Sequence, residues 1–137
     1  MIKRIALAAG VLLLAASCGD SGGDANAGSG TGATLKDFAI TLESDNVAAG
    51  STTFDIVNDG PSSHEFEIFR TDLAGDALPV EGSTVADDQL EFVDEAEDIA
   101  PGTSTSLTVE LTAGHYVAIC NVSGHYEAGM HADFSVT

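Results

Sequence analysis

Positive charge is scarce in this sequence. The 137 residues include four Lys or Arg against 22 Asp or Glu, which gives a formal net charge of −18. Because so acidic a surface repels the phosphates of nucleic acid, we expect neither DNA nor RNA to be a partner. The excess of carboxylates indicates instead a highly soluble protein, or one that meets a cationic partner.

Tryptophan is absent, and cysteine, methionine and histidine are rare, with two, two and four residues respectively. After residue 16, no apolar run is long enough to span a bilayer. The sequence also shows neither internal repeats nor a long amphipathic helical pattern. We therefore expect one modest domain without long helices.

The first 17 residues have the layout of an export signal. Lys3 and Arg4 precede an apolar run over residues 5–16 that is too short for a stable transmembrane span. The run ends in LAASC, which resembles a bacterial lipoprotein signal. In such signals, cleavage makes the cysteine the new amino terminus, and its thiol receives a diacylglycerol. The resemblance implies that Cys18 is lipidated and anchors the protein to the membrane, on the periplasmic or another extracytoplasmic face of the cell envelope.

Two alternatives remain for this cysteine. An ordinary secretory signal would leave Cys18 removed or free, and a disulfide with Cys120 would consume a thiol that a metal site needs. Residues 18–33 are mostly Gly, Ser, Ala and Asp, which predicts a flexible tether. The folded domain is then expected over residues 34–137.

Alternating apolar residues predict strands. LKDFAITLES places Phe38, Ile40 and Leu42 on one face. The same period recurs in TTFDIVND, HEFEIF, TSLTVEL, HYVAIC and ADFSVT. Short strands separated by Gly and Pro turns, over about a hundred residues, are typical of an antiparallel β-sandwich.

Residues 71–99 interrupt this pattern with Gly, Pro and many carboxylates. We interpret them as a long acidic excursion between strands, with a short helix in ADDQLEFVDEAEDI. Their carboxylates lack the one-three-five spacing of an EF-hand loop, so a solvated acidic surface is favoured over a calcium site.

The segment CNVSGHYEAGM places a thiol, an imidazole and a thioether at equal five-residue steps, on Cys120, His125 and Met130. These donors suit copper that cycles between Cu(I) and Cu(II), and a blue-copper site needs one more imidazole. His64 is a candidate because it begins a strand after the NDGPSS turn.

The two remaining histidines are weaker candidates. His115 lies five residues before Cys120 on one strand, at about 3.3 Å per residue, and is therefore distant from the sulfur. His131 follows Met130 directly and points to the opposite side of an extended segment. A sharp bend around the methionine would make His131 an additional or substitute ligand.

The cysteine segment resembles the ligand loop of the cupredoxins, the small blue copper proteins, in a rusticyanin- or plastocyanin-like form. NDGPSSHEF is similar to their upstream histidine segment. The resemblance covers residues 34–137 and implies an antiparallel Greek-key β-sandwich that holds one type 1 copper ion. The implied ligands are His64, Cys120, His125 and Met130. Two positions depart from the family pattern, since Glu65 replaces a common Ser or Asn and His131 replaces a common Gly.

The resemblance also implies a function. It implies a single-electron carrier, not an enzyme, that exchanges electrons with a redox protein such as a cytochrome or an oxidase and has no small-molecule substrate. His125, flanked by Tyr126 and Ala128, would be the electron port. Multicopper oxidases and nitrite reductases need more histidines than this chain has. The alternative is a copper-handling lipoprotein that binds Cu(I) and delivers it to a partner.

The lipoprotein hypothesis predicts that Cys18→Ser releases the protein into the soluble fraction, because a diacyl chain gives stable attachment and the variant has no site for it. Fractionation of expressing cells measures this. Unchanged membrane retention of the variant would contradict lipidation of Cys18.

Overall fold

Two packed β-sheets make up most of the computed structural model, which describes residues 29–137. The predicted export signal and Cys18 lie outside the described residues. Within the described range, no helix has the length and apolar character needed to cross a bilayer. The strands are β1 (Ser29–Lys36), β2 (Ala39–Leu42), β3 (Asn46–Val47), β4 (Gly50–Asn58), β5 (His64–Arg70), β6 (Val80–Glu81), β7 (Thr84–Val85), β8 (Glu91–Ile99), β9 (Ser104–Leu111), β10 (Gly114–Ile119) and β11 (His131–Val136).

The two sheets have the orders β2-β1-β4-β9 and β3-β11-β10-β5-β8. The predicted β-sandwich is confirmed. Most neighbouring strands are antiparallel, but β1 pairs with β4 and β3 pairs with β11 in parallel. These parallel pairs were not predicted, because alternation within a strand carries no information about the direction of its neighbour.

Aromatic side chains fill the space between the sheets. Phe54 of β4 packs against Phe66 of β5 and Phe134 of β11, with ring centroids 5.4 and 5.5 Å apart. Tyr116 of β10 stacks on Phe134 at 5.4 Å. All four are buried, and each contributes roughly 1.5–3 kcal/mol of apolar burial. This core packs the two sheets together beneath the loops at one end.

The chain reverses between β1 and β2 through the two residues Asp37 and Phe38, since Lys36 pairs with Ala39. Phe38 has a φ of 65° and is 49% exposed. The prediction that it shares a strand face with Ile40 and Leu42 was therefore wrong. A two-residue hairpin loop commonly requires a positive φ, and this geometry overrides the apolar alternation.

Strand β1 starts at Ser29, before the expected domain boundary at residue 34. Thr31 and Ala33 are buried, so this part of the predicted tether belongs to the sheet. Its backbone pairs in parallel with β4, with Ala33 opposite Ile56. Backbone pairing explains why a Gly- and Thr-rich segment without apolar periodicity forms a strand.

The acidic excursion contains the β6–β7 hairpin and two short 3-10 helices, at Gly75–Ala77 and Asp87–Gln89. The helix predicted in its second half was wrong, because Glu91–Ile99 forms β8, which pairs with β5 at the sheet edge. The excursion also covers the outer face of the second sheet with a separate apolar cluster, formed by Phe69, Leu78, Val85, Val117, Ile119 and Tyr126.

Glu67 of β5 is a carboxylic acid that is only 7% exposed. It lies opposite Glu95 of β8 in the antiparallel ladder. Burial, followed by the negative charges of Glu65, Glu95 and Asp87, raises the pKa of Glu67 to about 8. The carboxyl group is therefore protonated in the folded protein at neutral pH.

We predict that Glu67→Gln stabilises the protein increasingly as pH rises from 4.5 to about 8. In that window the folded wild type keeps a proton that the unfolded chain loses, so wild-type stability falls as pH rises. Gln does not titrate, and its advantage should approach about 4 kcal/mol at the upper end. Chemical denaturation across this pH range measures it, with the exposed Glu110→Gln as control. A pH-independent difference would contradict the burial of a protonated Glu67.

Candidate metal centre

Three side chains converge at one end of the sandwich. His64 Nδ1 and His125 Nδ1 are 3.3 Å apart, and Cys120 Sγ lies 3.8 Å from the first and 3.5 Å from the second. Among the described residues, this is the one group of three His, Cys, Asp or Glu side chains close enough to share a metal ion. A point equidistant from these three atoms lies about 2.1 Å from each, close to common metal–nitrogen and metal–sulfur bond lengths.

Adjacent strands deliver two of these side chains to the same place. His64 is the first residue of β5, and Cys120 directly follows β10, which pairs antiparallel with β5. Both side chains are fully buried. The backbone N–H of Glu65 donates to Cys120 Sγ at 3.4 Å. This contact uses the backbone, so it is made even though Glu replaces Ser or Asn at this position.

His64 presents a defined ring nitrogen to the group. Its Nε2 lies 3.1 Å from Asp37 Oδ1. An ionised carboxylate accepts hydrogen bonds but cannot donate them, so Nε2 carries the hydrogen and Nδ1 keeps the free lone pair. Burial, and then the neighbouring His125, lower the pKa of His64. A neutral imidazole is the form that binds metals.

Cys120 is a free cysteine, and its thiol is fully buried. Burial raises the pKa of this thiol, although hydrogen bonds from the backbone of Glu65 and Val122 act in the opposite direction. A metal ion that binds here must therefore displace the thiol proton.

The loop that follows Cys120 is closed by backbone hydrogen bonds. The N–H of Cys120 donates to the carbonyl of Met130 at 3.1 Å, and the N–H of Met130 donates to the carbonyl of His125 at 3.1 Å. Gly124 and Gly129 have φ values of 82° and 109°, which suit glycine best. Met130 is fully buried in the same apolar cluster as Cys120.

Asn58 holds the segment before His64, a role that the sequence did not reveal. Its buried amide donates to the carbonyls of Ser62 and Ile99 at 2.8 and 2.7 Å, and its oxygen accepts from the N–H of Gly60 at 2.9 Å. The signal was present in NDG, since an Asn side chain often bonds the backbone two residues on. The sequence pattern predicts the turn but not the contacts of this side chain.

Tyr126 ties the ligand loop to the acidic excursion. Its hydroxyl donates to the carbonyl of Gly75 at 2.7 Å and accepts from the N–H of Leu78 at 2.9 Å. Tyr126 is only 5% exposed and so does not flank His125 at the surface, whereas Ala128 is exposed.

The β6–β7 hairpin makes further bonds to this loop. Asn121 Oδ1 accepts from the N–H of Val85 at 2.7 Å, and the N–H of Gly124 donates to the carbonyl of Ser83 at 2.8 Å. Hydrogen bonds from both the core strands and the excursion therefore hold the ligand loop in place.

Phe38 lies beside His125 at the surface. Their ring centroids are 5.4 Å apart with the planes at 87°, an edge-to-face contact. His125 is itself partly exposed. The exposed aromatic neighbour of His125 thus comes from the β1–β2 turn, which lies far from the ligand loop in the sequence.

The other two histidines lie outside the donor group. His115 Nδ1 is 2.6 Å from the carbonyl of Thr71, and its Nε2 is 3.0 Å from Asp133 Oδ1. His131 packs its ring against Tyr126 at 5.5 Å. Both histidines therefore have structural contacts elsewhere.

The donor set fits one type 1 copper ion. Two imidazoles and one cysteine sulfur in a triangle, with the buried thioether of Met130 ten residues after the cysteine, match the trigonal His₂Cys arrangement with a distant Met. Calcium and magnesium prefer oxygen ligands, which this group lacks.

No protein-family model and no curated protein sequence matches this chain. Several solved structures do. Auracyanin from Roseiflexus castenholzii gives a TM-score of 0.60 at 17% identity, over 80% of this chain and 97% of its own. Rusticyanin from Thiobacillus ferrooxidans gives 0.61 at 18% identity, over 79% and 76%. Auracyanin A, a "blue" copper protein from Chloroflexus aurantiacus, gives 0.53 at 21% identity, over 77% and 99%. These similarities confirm the predicted cupredoxin-like fold.

We predict that Gly60→Ala weakens metal binding without altering a ligand. A Cβ at this position would lie 2.9 Å from both Asp37 Oδ1 and His64 Nε2. It would also lie 3.1 Å from the backbone nitrogen of Asp37, so the side chains cannot move away without moving the turn. Overpacking of this kind costs about 1–3 kcal/mol of stability. Thermal unfolding and Cu(II) titration measure both effects. The control is Gly30→Ala, whose Cβ would meet nothing closer than 3.9 Å. Equal metal affinity in the two variants would contradict this packing.

Proposed function

We propose that this protein is a single-electron carrier of the cell envelope, with one type 1 copper ion bound by His64, Cys120, His125 and Met130. The observation that carries this proposal is the triangle of His64 Nδ1, His125 Nδ1 and Cys120 Sγ, with separations of 3.3 to 3.8 Å. Copper bound there would supply a reversible one-electron couple between Cu(I) and Cu(II).

The fixed ligand loop supports electron transfer. A carrier works quickly when its ligands move little between oxidation states. The hydrogen bonds among Cys120, His125 and Met130, together with those to the excursion, restrict such movement. The ligand loop is therefore built to keep one geometry, whereas a protein that hands its metal to a partner needs a route for ligand exchange.

His125 is the proposed electron port. It is the partly exposed member of the donor group. The exposed Phe38 contacts its ring, and Ala128, three residues later in the ligand loop, is also exposed. These apolar groups would allow close approach of a redox protein such as a cytochrome or an oxidase. The acidic surface elsewhere would attract a cationic partner from a distance. A lipid on Cys18 would hold this protein at the membrane surface.

The experiment is to load the purified domain with copper and record its visible spectrum and cyclic voltammogram. We expect an intense thiolate-to-copper band and a reversible one-electron wave, since the ligands stay in place in both oxidation states. Cys120→Ser should lose the band, because the thiolate is removed. Ser106→Ala, at an exposed position on β9 in the other sheet, leaves the four ligands and the ligand loop intact and serves as the control.

A colourless complex that holds only Cu(I) and passes it to a chelator within seconds would contradict electron transfer and support copper delivery. Absence of any metal binding by the folded wild type would contradict both functions.

A further inference from the structure

We propose that Asp37 is a positioning residue for the metal centre: its carboxylate fixes the tautomer of His64 and stabilises the oxidised state of the site. The effect on the oxidised state deepens the proposed function and rests on it, whereas the effect on the His64 tautomer does not. Asp37 lies in the β1–β2 turn, outside both segments that carry the ligands.

The carboxylate of Asp37 is itself held in place. Its Oδ1 lies 3.1 Å from His64 Nε2, and its Oδ2 accepts from Ser62 Oγ at 3.0 Å. Gly60 has no side chain where a Cβ would meet both Asp37 and His64 at 2.9 Å. The contact between carboxylate and imidazole is thus fixed from two sides.

This contact selects one ring nitrogen for the metal. An ionised carboxylate only accepts hydrogen bonds, so Nε2 of His64 carries the hydrogen, and Nδ1 keeps its lone pair. Nδ1 is the atom that faces Cys120 and His125. Carboxylates behind metal-binding histidines orient the ring and raise its basicity, and their loss typically costs about 10–100-fold in metal affinity.

The charge of Asp37 has a second consequence. Within residues 29–137, its one ion-pair contact is with His64, whose side chain is fully buried. The Asp37 side chain is 31% exposed, so solvent screens it in part. A negative charge behind a ligand favours the more positive oxidation state. Asp37 therefore lowers the reduction potential of the site.

Three variants test the proposal. Asp37→Asn keeps a hydrogen-bond acceptor and removes the charge, while Asp37→Ala removes both. Asp59→Asn is the matched control. Asp59 is exposed and lies one residue before Gly60, so its substitution removes the same charge without touching His64. The first measurement uses the metal-free domain: long-range ¹H–¹⁵N spectra report which nitrogen of the neutral His64 carries hydrogen.

We expect the Nε2–H form in the wild type and in Asp59→Asn, and a mixture of tautomers in Asp37→Ala. Copper affinity should fall about 10–100-fold in Asp37→Ala and less in Asp37→Asn. The reduction potential should rise in both Asp37 variants and change less in the control.

Two results would overturn the proposal: an unchanged His64 tautomer in Asp37→Ala, or a potential that shifts as much in Asp59→Asn as in Asp37→Asn. If the folded wild type binds no copper, the proposed function fails, whereas the spectra of the metal-free domain still decide whether Asp37 fixes His64.

Discussion

The closed loop from Cys120 to Met130 is the constraint on which the metal centre depends. Its ends are joined by the bond from the N–H of Cys120 to the carbonyl of Met130, and its middle by the bond from Met130 to the carbonyl of His125. Because these bonds are between backbone groups, they are made without any metal. The free energy needed to order the ligands is therefore supplied by folding, and little rearrangement is left for binding or for a change of oxidation state.

The acidic excursion and the β1–β2 turn support this loop. The acidic excursion buries its few apolar side chains on the outer face of the second sheet and bonds Tyr126 and Asn121 of the ligand loop. Its carboxylates remain mostly in solvent. The turn at Asp37 and Phe38 contacts both histidines of the donor group, with the carboxylate on His64 and the ring on His125. Each contact joins the site to an element distant in sequence.

Local patterns were enough to predict the β-sandwich and the metal donors of the ligand loop. Both depend on features of short segments, namely alternating apolar residues and donors at equal five-residue steps. They failed where tertiary contacts decide. Phe38 follows the strand period but lies in a turn, and Tyr126 resembles a surface residue but is buried by the excursion. Strand β8 has a helix-like composition but pairs with β5. Asp37 carried no signal, since nothing local shows that a hairpin turn meets His64.

X-ray absorption spectroscopy at the copper edge of the loaded wild-type domain tests the account most directly. The arrangement of His64, His125 and Cys120 predicts two nitrogen ligands and one sulfur ligand, near the metal–nitrogen and metal–sulfur bond lengths of about 2.0 and 2.3 Å that are common in proteins. The spectrum of His131→Ala should be unchanged. A copper environment without a short sulfur bond, or one that loses a nitrogen ligand in His131→Ala, would contradict the assignment of the metal centre.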